Sequence, residues 1–254
     1  VQAIILAAGS GKRLSGVVQN LPKGLIEIGG RCLLEYSLEA LSRALIRQVS
    51  IVIGFCGHRI QQKIGDRYKD IEIRYVSNSD FHETGSMASL YRMKGLIGEE
   101  GSLVLESDLL YDPDVLTGVL ESGYADCILV SALSGSGDEV YICAGSDGKI
   151  TALGKKIPDN QKKEALGELV GISKFSKSLF ETIFQKAEKD FAEGHRQGHY
   201  EECVFAAQTP ARPVYAEFRK ALIWTEIDNE QDWLRAKNVV YPKLSGKFES
   251  LCKL

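Results

Sequence analysis

The sequence has no apolar run long enough to span a bilayer: its longest, such as Ala3 to Ala8 and Val49 to Phe55, fall well short of the roughly 20 residues required. No membrane segment is predicted. It has no excess of one charge either. With 31 Lys+Arg against 34 Asp+Glu the formal net charge is -3, so no general basic field exists to hold a nucleic-acid backbone or an anionic membrane surface. There is no C-x-x-C pair. Cys32, Cys56, Cys127, Cys143, Cys203 and Cys252 lie far apart, several inside apolar runs, and are expected to pack as small hydrophobes. No fixed-period repeat, low-complexity tract or Pro/Ser-rich linker interrupts the pattern. Val1 opens directly into an apolar strand without a basic start or a small-residue cleavage site, so a cytoplasmic location is expected.

What is present is the balance of a globular protein. The chain has 254 residues, 44% hydrophobic and 26% charged, which allows a sizeable core and excludes disorder and collagen. Strand-like apolar runs alternate with helix-period stretches through the first half, the pattern of crossover units feeding a parallel sheet. Gln2 to Ala7, Val49 to Phe55, Ile71 to Val76 and Ser102 to Glu106 read as strands. Leu33 to Leu45, His58 to Tyr68 and Ser86 to Leu96 read as helices, the first with Leu34, Leu38, Leu41 and Leu45 recurring at three and four. Over 126–175 short runs alternate with turns, predicting a small antiparallel insert on the acceptor side. Lys177 to Ala192, Tyr200 to Ala207 and Asn229 to Val239 read as further helices, with a strand at Arg219 to Ile227. The expected class is α/β: a Rossmann-like mixed, mainly parallel sheet flanked by helices, in a single domain over 1–254, with 242–254 a tail or a linker.

Strand one runs into Leu6-Ala7-Ala8-Gly9-Ser10-Gly11-Lys12-Arg13-Leu14, where small residues let the backbone approach a ligand and two cations follow. This is not a Walker A loop, which needs a glycine where Leu6 stands and Ser or Thr where Arg13 stands. Nor is it the dinucleotide fingerprint, whose third glycine would fall at Leu14. Taken alone, it fits a tight turn with solvated cations equally well. Asp108 and Asp228 each lie beyond the end of an apolar strand, where open α/β sheets bind ligands, although Asp228 also suits a helix N-cap. His195 and His199 have the i,i+4 spacing of a zinc pair, but Gly198 interrupts and the HExxH glutamate is missing, so they are read as a helix-to-loop junction.

Nine residues beyond Leu14 stands Lys23, held by Pro22 and followed by an apolar run. The two linked blocks, LAAGSGKRL and LPKGLIEIGGRCLLEY, resemble the signature of the nucleotidyltransferase family that activates sugar phosphates and small alcohol phosphates. The resemblance continues through Asn78-Ser79-Asp80-Phe81, Thr84-Gly85-Ser86, Ser89-Leu90, Glu106-Ser107-Asp108, Gly167 to Gly171 and Glu226-Ile227-Asp228, nearly the whole chain. Within the family the chain is similar to the short cytidylyltransferases acting on phosphocholine or 2-aminoethylphosphonate, being compact and without the C-terminal β-helix of longer relatives.

That resemblance implies an Mg2+-dependent transfer from CTP, with pyrophosphate released. Lys23 and Arg13 would meet the triphosphate. Leu6, Ala7, Ala8, Gly9, Ser10, Gly11 and Lys12, with Asn78, Thr84, Gly85, Ser86 and Ser89, would hold the nucleotide, and Asp108 and Asp228 the metal. The acceptor phosphate is already an anion at neutral pH, its second ionisation lying at about 6, so the four histidines need not act as a base. Lys155, Glu168, Tyr200, Glu201, Glu202 and Trp224 are the candidates for the acceptor. They mix aromatic and acidic chemistry, and the acids favour 2-aminoethylphosphonate over phosphocholine. Inositol 1-phosphate, a sugar 1-phosphate, or a catalytically silent nucleotide-binding relative are the alternatives. The expected partners are small molecules, with a homo-oligomer or a fused partner left open.

Overall fold

The computed structural model describes residues 1–11 and 21–249; Lys12 and Arg13 lie outside the described residues. The strands are, in chain order, β1 (Gln2–Ala7), β2 (Glu27–Ile28), β3 (Arg31–Cys32), β4 (Gln48–Ile53), β5 (Arg67–Tyr68), β6 (Ile71–Ser77), β7 (Ser102–Glu106), β8 (Leu109–Tyr111), β9 (Cys127–Ser131), β10 (Tyr141–Ala144), β11 (Ile150–Gly154), β12 (Gly167–Phe175), β13 (Tyr215–Arg219) and β14 (Trp224–Glu226). The helices are α1 (Leu33–Arg43), α2 (Gly57–Ile64), α3 (Ser86–Tyr91), α4 (Val115–Leu120), α5 (Asp159–Lys163), α6 (Lys177–Ala192), α7 (Tyr200–Ala207), α8 (Glu230–Arg235) and α9 (Tyr241–Glu249).

The result is the mixed, mainly parallel α/β sheet expected, flanked by helices. Its spatial order is β11-β10-β12-β7-β1-β4-β6-β5, with β9 beside β12 and β13 beside β9. Parallel pairing runs through β7, β1, β4 and β6, and β12 turns the sheet antiparallel. Burial of β1 on both faces follows from its unbroken apolar run. Ala3, Ile5 and Ala7 join a core with Leu34, Leu38 and Leu41 of α1, while Ile4 and Leu6 face Phe180, Ile183 and Phe184 of α6.

The expected insert strands β9, β10 and β11 extend this same sheet rather than standing apart. Two small antiparallel pairs, β2–β3 and β8–β14, lie outside it. The run 219–227, expected as one strand, divides between β13 in the large sheet and β14 in the small one. Helix α3 stops at Tyr91, and the helix expected over 229–239 is α8, followed by a π-helical turn (Ala236–Val240) and then α9. Over 241–249, Leu244 and Phe248 bury against Tyr36 and Ile227, contributing about 1.5–3 kcal/mol each.

Strand β12 pairs with β10 at 167–168, with β7 at 172–175 and with β9, and a bulge shifts its register with β9 between Leu169 and Ser173. Gly171 sits there at φ 83°, and a Cβ on it would lie 3.2 Å from the Glu106 carboxylate. The bulge therefore makes room for that acid at the C-terminal end of β7.

Candidate functional site

A cavity of about 490 Å³ opens at the carboxyl ends of β1 and β7. Three separate pieces of chain build its centre. Lys23 opens a single 3-10 turn (Lys23–Leu25) in which Leu25 N–H donates to Pro22 O at 2.9 Å. Gly24 is needed next because a Cβ there would meet Leu34 Cγ at 2.8 Å, so the turn can press onto α1. Strands β8 and β14 pair with Leu109 opposite Glu226, and Ile227 N–H donates to Asp108 O at 2.9 Å. That short ladder brings Asp108 and Asp228 face to face across 120 residues of sequence (228 − 108).

Lys23 Nζ lies between them, 2.6 Å from Asp108 Oδ2 and also paired with Asp228 Oδ1. Burial alone would lower the Lys23 ammonium, but Asp108, Asp228 and Glu226 outweigh it and raise it far above the ordinary lysine value. Asp228 is not the helix cap that its position suggested. Asn229 caps α8, its side chain accepting from Gln231 N–H and Asp232 N–H at 2.9 and 3.1 Å, which frees the Asp228 carboxylate for Lys23.

Glu106 and Glu226 were given no role above, yet both reach this centre. Oxygens of Glu106, Asp108 and Glu226 all lie within 4.8 Å of one another. The signal was present: each glutamate precedes its aspartate by two residues, Glu106-Ser107-Asp108 and Glu226-Ile227-Asp228, the spacing that returns to one face of a strand. Burial, with Glu226, Asp108 and Glu201 nearby, pushes the Glu106 carboxyl well above the usual carboxylate range. Burial, with Asp108 and Asp228, raises Glu226 to about 8. Hard carboxylate oxygens so grouped fit Mg2+, with Asp108 shared by both sets of acids.

The other walls are divided by chemistry. Leu6, Ala8, Gly9, Ser10 and Gly11, then Thr84, Gly85, Ser86 and Ser89, line one end, with Phe81 beside the β1 turn. Ala7 is buried within β1 and Asn78 lies behind the wall, where its Nδ2 donates to Thr84 Oγ1 at 3.2 Å and Ser89 Oγ at 3.1 Å. Neither lines the cavity, so direct nucleotide contact by the Asn78 side chain is replaced by a supporting position. The rest of the lining includes Lys155, Glu168, Trp224 and, on either side of Tyr200, whose N–H donates to Ser86 Oγ at 2.9 Å, His199 and Glu201. Lys155 pairs with Asp138 at 2.8 Å, and Glu168 accepts from Ser134 N–H at 2.8 Å and Ser134 Oγ–H at 3.1 Å.

Two acceptor candidates stand away from the cavity lining. Tyr200 is fully buried in the core facing α6, and Glu202 points to solvent from α7, so neither lines the cavity. His199, set aside as a bystander, lies on the cavity wall and precedes α7 as its N-cap. No helix among the described residues is long and apolar enough to cross a membrane.

The MobA-like NTP transferase domain family model matches residues 3–195. A choline-phosphate cytidylyltransferase of Streptococcus pneumoniae is 25% identical over 94% of this chain and 98% of its own length. A 2-aminoethylphosphonate cytidylyltransferase of Lancefieldella rimae is 26% identical over 80% of this chain and 78% of its own length. A CMP-5'-(3-aminopropyl)phosphonate synthase of Streptomyces rubellomurinus is 28% identical over 59% of this chain, a match that spans only 24% of that protein.

Proposed function

The chain belongs to the MobA-like NTP transferase domain family, and from that premise we propose that it transfers a cytidylyl group from CTP to a small amine-bearing phosphonate or phosphate, 2-aminoethylphosphonate first among them, and releases pyrophosphate. The observation that carries this reading is Lys23, held between Asp108 and Asp228 where the β1 turn meets the acidic end of the cavity. Both named cytidylyltransferases that this chain resembles along most of its length act, by their names, on acceptors with a nitrogen beside the phosphorus group.

In the reaction an acceptor oxygen forms a bond to the α-phosphorus while the bond to the bridging oxygen of pyrophosphate breaks, the electron pair leaving with that oxygen. The attacking oxygen is already anionic, so no side chain need remove a proton. What the protein must supply is alignment and positive charge. Lys23 supplies a cation whose charge Asp108, Asp228 and Glu226 favour. The backbone of Ala8 to Gly11 approaches closely enough to seat the nucleotide, and Thr84, Ser86 and Ser89 offer hydroxyls to its base and ribose. Asp108 and Asp228 would hold Mg2+, which when bound offsets charge on the phosphates. Arg13 is proposed for the triphosphate from the sequence resemblance.

The test is pyrophosphate release from CTP and Mg2+ with 2-aminoethylphosphonate, phosphoethanolamine, phosphocholine and inositol 1-phosphate offered separately. Turnover with an amine-bearing acceptor supports the reading. Release with inositol 1-phosphate alone, or inactivity with all four, rejects it.

A further inference from the structure

Glu201 stands on the first turn of α7 with 6% of its surface exposed, lines the cavity, and has a buried Oε2 with no hydrogen-bond partner. A buried carboxylate oxygen without a donor is costly, and such groups in folded proteins ordinarily find one. The neighbouring cavity acids, Glu106 and Glu226, share Lys23 with Asp108 and Asp228. Of the cavity's lysines among the described residues, Lys23 is engaged by Asp108 and Asp228, and Lys155 by Asp138. Glu168 differs from Glu201 in that Ser134 already satisfies it twice. Arg235 and His199 also line the cavity, yet Glu201 Oε2 is left without a donor.

Two kinds of cationic nitrogen can be compared against that deficit. A trimethylammonium group offers no N–H and is held by several aromatic faces. Of the aromatic rings lining the cavity among the described residues, Phe81 sits at the nucleotide end in contact with Phe55 and His82, which leaves Trp224 at the acidic end. A primary ammonium offers three N–H donors, one of which suits the orphaned Glu201 Oε2.

We propose, building on the cytidylyl-transfer reading, that Glu201 seats a primary ammonium group of the acceptor, and that this seat selects –NH3+ over trimethylammonium and over hydroxyl. Glu201 can do so because it stands apart from Glu106, Asp108 and Glu226, the acids grouped for the metal.

The experiment compares phosphoethanolamine with phosphocholine, which differ only in the three methyl groups, and 2-aminoethylphosphonate with 2-hydroxyethylphosphonate. Each kcat/KM is measured by pyrophosphate release at saturating CTP and Mg2+. The expected preference for the primary amine is at least about 100-fold in each pair, short of the roughly 10⁴–10⁵ by which a site built wholly around hydrogen bonds rejects an analogue that lacks the group. Glu201→Gln is expected to shrink both ratios to below about tenfold, and Glu201→Asp, which keeps the carboxylate, serves as the second variant and is expected to keep more of each ratio. Binding of 2-aminoethylphosphonate by titration calorimetry needs no turnover, and Glu201→Gln is expected to weaken it about 30-fold. Turnover with ratios near one, or a Glu201→Gln effect that appears only as a raised Mg2+ requirement, overturns the ammonium seat and leaves cytidylyl transfer standing. No turnover with CTP, but tight amine binding that depends on Glu201, overturns the reaction and leaves the seat standing. Absence of both turnover and amine binding overturns both.

Discussion

At the end of the cavity formed by the β1 turn and residues 78–89, polar side chains are already tied to one another. Asn78 donates to Thr84 and Ser89, its Oδ1 accepts from Asp80 N–H and from Arg92, and Ser86 Oγ accepts from Tyr200 N–H at 2.9 Å. Asp80 binds both Arg92 at 2.8 Å and Arg196 at 3.1 Å, so the loop is strapped to the segment that leads into α7. At the other end, Glu106, Glu201 and Glu226 all stand above the ordinary carboxylate range, with burial the first cause in each case. One end is satisfied before any ligand arrives. The other buries acids whose ionised forms the fold itself does not stabilise, the condition expected where binding rather than stability sets the residues.

The largest break in this division should come at the centre, where the two ends meet. Lys23→Ala removes the cation between Asp108 and Asp228 and is expected to lower kcat by at least about 100-fold, with Asp108→Ala similar. Single-turnover pyrophosphate release measures both, and rates within tenfold of the parent would remove Lys23 from the reacting phosphates. Next in size is Asn78→Ala, which takes the support from Thr84 and Ser89 without touching the acidic end. KM for CTP is expected to rise about tenfold while KM for the acceptor stays within about twofold. An equal rise in both would show that the strap through Asp80 and Arg196 makes the two ends one unit.

How far the sequence disclosed this division depends on how local each feature is. Lys177 to Ala192 and Tyr200 to Ala207 are helices to the residue, because apolar spacing marks one face and, for α6, Ser176 accepts from Leu179 N–H as its cap. The meeting of Asp108 with Asp228 rests instead on pairing between two three-residue strands, Leu109–Tyr111 and Trp224–Glu226, too short for periodicity to register. The family resemblance supplied what spacing could not. Glu106 and Glu226 were legible as the second of two acids on one strand face, a pattern that draws meaning only when both strand ends are known to converge.

A smaller effect concerns stability and has the opposite sign to activity. An acid whose value is raised on folding contributes most below its unfolded value, near 4.5, and that contribution is lost as pH rises through the folded value. Glu201 therefore weakens the ligand-free protein at alkaline pH, and Glu201→Gln is expected to raise Tm by about 2–4 °C at pH 8. The gain should shrink towards pH 5. Differential scanning calorimetry at both values is the check, and a lower Tm at pH 8 would mean that Glu201 has an internal partner.

The least effect is expected one residue along. Glu201 and Glu202 are indistinguishable by composition, yet a step of one residue turns about 100° around a helix, so one carboxylate enters the cavity while its neighbour faces solvent. Glu202 serves α7 itself: its Oε2 accepts from His199 N–H at 3.4 Å, closing a capping box that glutamine can also close. Glu202→Gln is accordingly expected to leave kcat/KM within about twofold and Tm within about 1 °C of the parent. A loss as large as that of Glu201→Gln would mean that net charge around α7, rather than one aimed carboxylate, governs the acidic end, and the contrast between the two ends would then reduce to long-range electrostatics.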